Sequence, residues 1–454
     1  MEKHSKIIVV GAGLAGSLCS VFLAKRGYHV EVYERRSDMR KTSISAGRSI
    51  NMALSTRGIH ALQQVGLDQE IMQHAIPMKG RMIHSLTGEL HFQAYGQKES
   101  EVIYSIPRGL LNMVLLEAAE QDFKVHFQFN QRCTGINLKL GGLHFTDENT
   151  GKETEKRIPS ETVIATDGYA SAIRMEMIRK RRFNFSQEYL SHGYKELTIP
   201  PSPQGGFLLE KHALHIWPRG TYMLIALPNL DGSFTCTLFF PFEGENSFES
   251  LNSPEKIKTF FQEQFPDATP LMPSLIEDFL ANPTGALVTV KCNPWSIEDK
   301  VLLLGDSAHA MVPFFGQGMN CAFEDCTYLD ECIERFSGDW LKIFKEYEAL
   351  RKVNTDAISD LALENFIEMR DLVADPHFLL KKKVGLLLEQ KYPELFIPKY
   401  SMVTFHRIPY SSALHKGKIQ DKILETLCRS INDIQEIDWK SADQLLQDFA
   451  SELA

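Results

Sequence analysis

The stretch KIIVVGAGLAGSLCSVFLAKRGYHVEVYERR, beginning at Lys6, constrains the fold more than any other part of the chain. Ile7 to Val10 are apolar and β-branched and predict a short buried strand. Gly11, Gly13 and Gly16 complete GxGxxG, and Leu14 to Arg26 carry a helical pattern that Gly27 ends. Val30 to Tyr33 predict a second strand, with Glu34 at its end. A lone GxGxxG is a weak signal; between strand and helix, with an acid at this distance, it is a strong sign of dinucleotide binding. Gly11 permits the tight turn, Gly13 lets backbone N–H groups approach a pyrophosphate at the helix start, and Gly16 lets helix and strand pack closely. Glu34 is placed to accept hydrogen bonds from a ribose diol. NAD and FAD fit this pattern equally well.

Two further patches repeat the strand-then-glycine arrangement. Val301 to Leu304 predict a buried strand ending in Gly305-Asp306, and Gly316 and Gly318 precede a helix from about Met319. Ala322, Cys326, Leu329, Ile333 and Phe336 recur at helical spacing. Such a helix start offers free N–H groups and a positive dipole end, worth ~0.3–1 kcal/mol per nearby anionic charge. Asp306 at a strand end suits a polyol hydroxyl. A second dinucleotide motif in GQGMNC is disfavoured because Pro313 interrupts any strand leading into it. A Ser307–His309 hydrolase lacks a nucleophile elbow. A plain helix-capping loop explains the glycines but not the Gly-Asp or the proline. The third patch, TVIATDGYASAIR, places Val163 to Thr166 before Asp167-Gly168, with Ser171 and Arg174 beyond.

The totals narrow the class. A net charge of −9 over 454 residues gives no electrostatic support to nucleic-acid binding. The eight cysteines form no CxxC pair, so reduced thiols in a cytoplasmic protein are expected, with no metal site. The N-terminal apolar run is too short for a secretory signal, and no stretch approaches the ~18 apolar residues that span a bilayer. HALHIWPRGTYMLIALPNLDGSFTCTLFFPF reads as strands separated by turns, an antiparallel sheet suited to an apolar pocket. After about residue 340 the pattern is helical.

Together the three patches (GxGxxG with a distal Glu, DGxxSxxR at residues 167–174, and GD followed by PxxGxGxN at residues 305–320) resemble the flavin-dependent aromatic hydroxylases of the hydroxybenzoate hydroxylase fold. The resemblance implies FAD as cofactor, NADPH and O₂ as co-substrates, and hydroxylation through a flavin C4a-hydroperoxide with no side-chain nucleophile. GRSINMALSTRG, IPMKGRMIHSLTG, LHIWPRGTYMLIALPN, NFIEMRD and FIPKYSMVTFHRIPY further resemble the branch that hydroxylates L-kynurenine at C3, over residues from about 5 to 410. Animal and fungal members of that branch carry a C-terminal membrane segment, and this chain resembles the bacterial form without one.

That family implies an α/β fold: a Rossmann-like FAD-binding domain at 1–75, 100–180 and 285–340, an inserted antiparallel β-sheet substrate domain at 76–99 and 181–284, and a mainly helical region at 341–454. Residue by residue it implies Arg81 and Tyr95 on the substrate carboxylate, with Asn365 and Tyr400 completing that polar end. Arg108 would contact the flavin. Tyr33, Glu34, Arg35 and Arg36 would surround the adenosine, with Ala15 and Ala53 against the cofactor. Met319 and Asn320 would sit at the flavin ring, Asp306 at the ribityl and pyrophosphate, and Asp167 would serve both FAD and NADPH. A family threonine in the DG patch is Ala172 here.

The same residues have plainer readings. Arg81 could be an exposed strand residue, and Tyr95 a turn aromatic before Gly96. Asn365 shares a helical stripe with Ile358, Leu361, Met369 and Leu372, so its amide needs either a backbone partner or a ligand. Tyr400 lies in a β-like run, YSMVTFHRI, and could be core with its hydroxyl tied to backbone. Phe239, Phe314 and Phe315 read as plain core, and the resemblance makes some of them wall for an aryl ring.

Overall fold

A computed structural model describes residues 6–41, 51–139, 142–157, 161–179, 182–372 and 375–453; residues 47–50 of GRSINMALSTRG lie outside these. The chain divides into two units, each built from three stretches: residues 1–75, 106–190 and 287–359, and residues 76–105, 191–286 and 360–454. At the start of the helical region, the helix Trp340–Ile367 is divided between the units.

In the first unit the glycine-motif strand Lys6–Val10 sits inside a six-stranded sheet. It pairs in parallel with His29–Tyr33 on one side and with Thr162–Ala165 on the other, and the latter pairs in parallel with Val301–Leu303. Lys6–Val10, Thr162–Ala165 and Val301–Leu303 are buried almost throughout, which is why they read as nearly continuous apolar runs, whereas His29–Tyr33 alternates, with Val30 and Val32 buried. The register sets Val10 opposite Ala165, and Ala165 opposite Leu303. The carboxyl ends of three strands therefore stand abreast, and Gly11, Asp167-Gly168 and Gly305-Asp306 all emerge at one edge. That edge is where open parallel sheets bind ligands.

The second unit is organised on a seven-stranded sheet whose far edge runs Ala213–Pro218, Gly80–His84, Leu90–Ala94. Asn184–Ile199, Phe234–Pro241, Met223–Pro228 and Ala213–Pro218 pair antiparallel in succession, Gly80–His84 joins Ala213–Pro218 in parallel, and Leu90–Ala94 joins Gly80–His84 antiparallel. Alternate residues, among them Trp217, Leu224, Phe234, Leu238 and Phe240, pack under the helices Pro254–Gln264 and Leu275–Ala281. Phe239 and Arg81, of opposite parity, belong to the other face. A separate apolar core joins the C-terminal helices Pro376–Lys391, Tyr410–Cys428 and Trp439–Asp448.

Tyr400 is helical, within Lys399–Thr404, and not in a strand. Ser401 to Thr404 are all buried. Continuous burial without alternation is compatible with either element over so short a run, and β-branching misdirects the reading.

Candidate active site

The first helix starts at Leu14 with Gly13 as its cap, and no side chain satisfies its leading N–H groups. Gly11 has φ +102° and donates its N–H to the Tyr33 carbonyl at 2.8 Å. A Cβ on Gly16 would lie 1.9 Å from the Gly11 carbonyl oxygen, so strand and helix meet backbone to backbone there. A Cβ on Gly13 would meet nothing within 4 Å. Protein packing therefore does not account for that glycine, whereas the close approach of an anion does. Ala15 follows in the same turn, its Cβ facing Gly305.

Glu34 accepts the Ala12 N–H at 2.7 Å and the Arg36 N–H at 3.0 Å, so the acid also fixes the glycine turn. Asn112 of the helix Arg108–Gln121 donates to the Ala12 carbonyl at 3.0 Å from the other side, a contact that the sequence reading missed. Arg36 is depressed below the usual guanidinium range by lost hydration and by the positive charges of Arg35 and Arg108, against the pull of Glu34. This surplus of cations beside a bare helix start suits a pyrophosphate. The Tyr33 ring stacks on Phe145 at 4.4 Å, its hydroxyl is engaged by Glu31 and Lys156, and its carbonyl accepts the Gly11 N–H.

Asp167 carries the clearest mark of a ligand-facing group. Its Oδ2 accepts the Ala172 N–H at 2.8 Å, a backbone contact that alanine in place of the family threonine leaves intact. Its Oδ1 is buried with no partner among the described residues, and burial raises the carboxyl above its ordinary range. Asp306 is exposed at the strand end, one residue after Gly305 (φ +66°).

The helix Gly318–Phe336 has no side-chain cap, which leaves the N–H groups of its first turn for a ligand. Met319 is buried beside them. The Asn320 amide is already committed: Nδ2 donates to the Ala53 and Gly316 carbonyls, each at 2.8 Å, and Oδ1 accepts the Ser55 N–H at 2.9 Å. Asn320 thus braces Ala53 and the glycine loop, and the part of it free for a flavin ring is backbone. Phe314 and Phe315 are buried in the 3₁₀ turn Pro313–Phe315 before this helix.

Under that loop lies a charge network that sequence reading did not find. Arg351 donates to Asp325 at 2.7 Å and to Glu324 at 2.6 Å, and Arg57 donates to the other Glu324 oxygen. All four side chains are at most 2% exposed. Asp325 also accepts the Gly305 N–H at 3.2 Å and lies 2.6 Å from His309 Nε2. Burial would raise both carboxyls, but His309 and Arg351 hold Asp325 low, and Arg351 and Arg57 hold Glu324 low. His309, Cys321 and Asp325 bring metal-binding atom types within 4.8 Å of one another, yet the Arg351 guanidinium bonds to both Asp325 and Cys321 and already fills the cationic role.

In the second unit Arg81 lies on Gly80–His84 and is 7% exposed. Its guanidinium sits 5.6 Å from the Tyr95 ring centre and 5.5 Å from that of Tyr400, and the two rings stack at 5.4 Å. Among the described residues no carboxylate reaches ion-pair distance of it; Glu368, the acid nearest in effect, is paired with Lys382 at 3.0 Å. Glu368 is held below its ordinary range against burial by Lys382 and Arg81. Asn365 is buried and donates to the Met369 sulfur at 3.3 Å, a weak acceptor. It occupies the last turn before a π-helical segment, Glu368–Leu372, a distortion frequent at functional sites. The Leu372 side chain is outside the described residues.

A glycine cradle, a strand-end acid, an orphaned carboxylate oxygen and an uncapped helix start, all at one sheet edge, define a flavoprotein of the dinucleotide-binding class. The FAD-binding domain family model matches residues 4–201 and 284–338, and solved structures agree on the fold. That of 2-methyl-3-hydroxypyridine-5-carboxylic acid oxygenase aligns with TM-score 0.64 at 19% identity, over 84% of this chain and 96% of that one. Tetracycline destructase Tet(51) aligns with TM-score 0.60 at 18% identity, over 89% and 99%. A curated kynurenine 3-monooxygenase of Myxococcus xanthus is 51% identical over 98% of this chain and 95% of its own, and that of Dictyostelium discoideum is 45% identical over 98% of both. The chain belongs to the kynurenine 3-monooxygenase family. Among the described residues no helix is long and apolar enough to cross a membrane.

Proposed function

We propose that this chain hydroxylates L-kynurenine at C3 to 3-hydroxy-L-kynurenine, with FAD as cofactor and NADPH and O₂ as co-substrates. The observation that carries the substrate is Arg81, a buried guanidinium between two tyrosine rings with no carboxylate among the described residues at ion-pair distance. An amino-acid carboxylate supplies that anion, with Tyr95 and Tyr400 as hydroxyl donors and Asn365 as an amide donor. Phe239, on the same sheet face as Arg81, offers apolar surface to an aryl ring.

The first unit's residues fit FAD: the Gly11–Gly13–Gly16 turn with Arg35, Arg36 and Arg108 for the pyrophosphate, Glu34 for the ribose, Asp306 for the ribityl chain, and Met319 and Asn320 N–H groups for the pyrimidine edge. When bound, FAD supplies the redox chemistry that takes electrons from NADPH and activates O₂ for transfer to the ring. The chain's residues bind, orient and exclude water. Asp167, with one oxygen unsatisfied, is the group placed to accept a hydrogen bond from a nucleotide. The eight free cysteines, seven of them buried, suit a reducing cytoplasmic setting.

The test is to mix protein, NADPH and L-kynurenine in air and look by mass spectrometry for a product heavier by one oxygen. Kynurenine-independent NADPH oxidation, with stimulation by a different aromatic acid, would move the chain to another substrate within the same chemistry.

A further inference from the structure

Behind the Arg81 strand, on the helix-covered face of the same sheet, lies a chain of titratable groups unused by the proposed reaction, its two rings buried and its carboxylate part-exposed. His84 and His215 are each 1% exposed. His215 Nε2 lies 2.9 Å from the Glu210 carbonyl oxygen, His215 Nδ1 lies 2.8 Å from His84 Nε2, and His84 Nδ1 lies 2.6 Å from Asp267 Oδ2. Trp217 stacks on His84 at 4.0 Å and donates its indole N–H to Asp267 at 3.0 Å.

A carbonyl oxygen only accepts, so His215 Nε2 carries a hydrogen. The ring-to-ring contact needs one hydrogen, and so does the contact to Asp267. Three contacts need three protons; two neutral imidazoles carry two and an ionised Asp267 carries none. We propose that Asp267, His84 and His215 form a proton-holding brace that positions the Arg81 strand, complete only when the pair of rings holds one proton beyond neutrality. Burial pushes His215 down to about 4. Against burial, the His84 and Trp217 hydrogen bonds hold Asp267 below its ordinary range. With Asp267 and the Glu210 carbonyl both accepting, the ring-to-ring hydrogen is the third proton, and under this proposal it sits on His84 Nε2.

The brace acts on Arg81 through the two strands it joins. Arg81 stands opposite Leu214, and Met82 opposite His215, so Arg81 and His84 project from opposite faces of one strand. The ring-to-ring contact fixes how that strand lies against Ala213–Pro218, and Asp267 ties both to the turn after Pro254–Gln264. Among the described residues, the other charged groups around the pair are Arg219, which donates to the His84 carbonyl at 3.1 Å, and Glu210, which acts on His215 through both its carbonyl and its carboxylate charge. Removing the third proton sets two lone pairs face to face, either between the rings or between His84 and Asp267.

This positioning role rests on the reading of Arg81 as the kynurenine carboxylate site. The experiment uses the full FAD-loaded chain. Imidazole ¹⁵N shifts count the protons with no substrate present, assigned by His84→Gln and His215→Gln, so a failure of hydroxylation itself bears on the functional reading alone. Expected are two N–H groups on His84 and one, at Nε2, on His215. As pH is raised and that proton leaves, KM for L-kynurenine is expected to rise about three- to tenfold, the effect of one hydrogen bond, with kcat unchanged. Asp267→Asn separates this brace from mere packing. A carboxamide N–H donates to an unprotonated His84, so the variant is complete with two protons and its KM is expected to stay low and lose the pH dependence. Two neutral rings at the pH of lowest KM, or an Asp267→Asn enzyme with the wild-type pH profile, would overturn the proposal.

Discussion

A buried guanidinium such as Arg81, with no carboxylate beside it among the described residues, is costly unless a ligand supplies the anion. Arg81→Ala should therefore weaken kynurenine binding by ~1.5–3 kcal/mol, roughly ten- to hundredfold, while flavin content is unchanged. Arg81→Lys keeps a charge but not the fork between the Tyr95 and Tyr400 rings, and should fall between the two. A titration of kynurenine into the yellow variants reads both, and undiminished affinity in Arg81→Ala would reject the assignment. Glu34 is different, because its carboxylate already holds the Ala12 N–H. Glu34→Ala should loosen the glycine turn as well as the ribose contact, with an FAD dissociation constant higher by roughly tenfold or more, measured by flavin released on dialysis. The sequence marked both residues, but not that Arg81 is buried or that Asn320 spends its amide on Ala53 and Gly316. A motif specifies which residue is present, whereas burial and partner choice depend on chain hundreds of residues away.

The three glycine patches were legible as elements because each is local: an apolar run, a turn that only glycine relieves, then helical periodicity. Their convergence follows from parallel register alone. The network under the Gly318–Phe336 helix was not legible, since it joins Arg57, Glu324 and Arg351 across as many as 267 positions. Its sequence trace is slight: an acid pair, Glu324-Asp325, beside the apolar stripe of the helix. Arg351→Met would leave two buried carboxylates short of a cation and should cost about 3–5 kcal/mol, read as a lowered Tm. The pH dependence has a definite sign. Glu324 and Asp325 titrate below their ordinary range in the fold, so the stability they contribute is present above the unfolded carboxylate range of about 4 and is lost as pH falls through their folded values. Asp325→Asn should therefore flatten the acid limb of a Tm-versus-pH curve between about pH 5 and 2, while lowering Tm at neutral pH.

At the scale of the whole molecule, the chain enters each unit three times, so neither unit is a contiguous piece of sequence. Composition and periodicity registered the strand-rich middle and the helical end, but not that a single long helix would be shared between units. The last forty residues carry no recognisable motif, yet they are not a dispensable tail. Ile437, Ala442, Leu446 and Leu453 close the apolar core formed by Leu380, Val384 and neighbours. Asp433 and Asp438 cap the two turns that bring them there, Asp438 accepting the Lys440 N–H at 3.0 Å. Burying one large aliphatic side chain is worth about 1.5–3 kcal/mol, so losing Ile437, Leu446 and Leu453 together removes about 5–9 kcal/mol, comparable with the net stability of many domains. A chain ending at residue 432 should accordingly lose protection from protease within residues 376–428 and bind kynurenine poorly. Leu446→Ala should cost about 2–5 kcal/mol in the full-length protein. The two variants together make the argument testable: a truncated chain with the wild-type Tm and unchanged protease resistance would mean that this core is closed without its final helices.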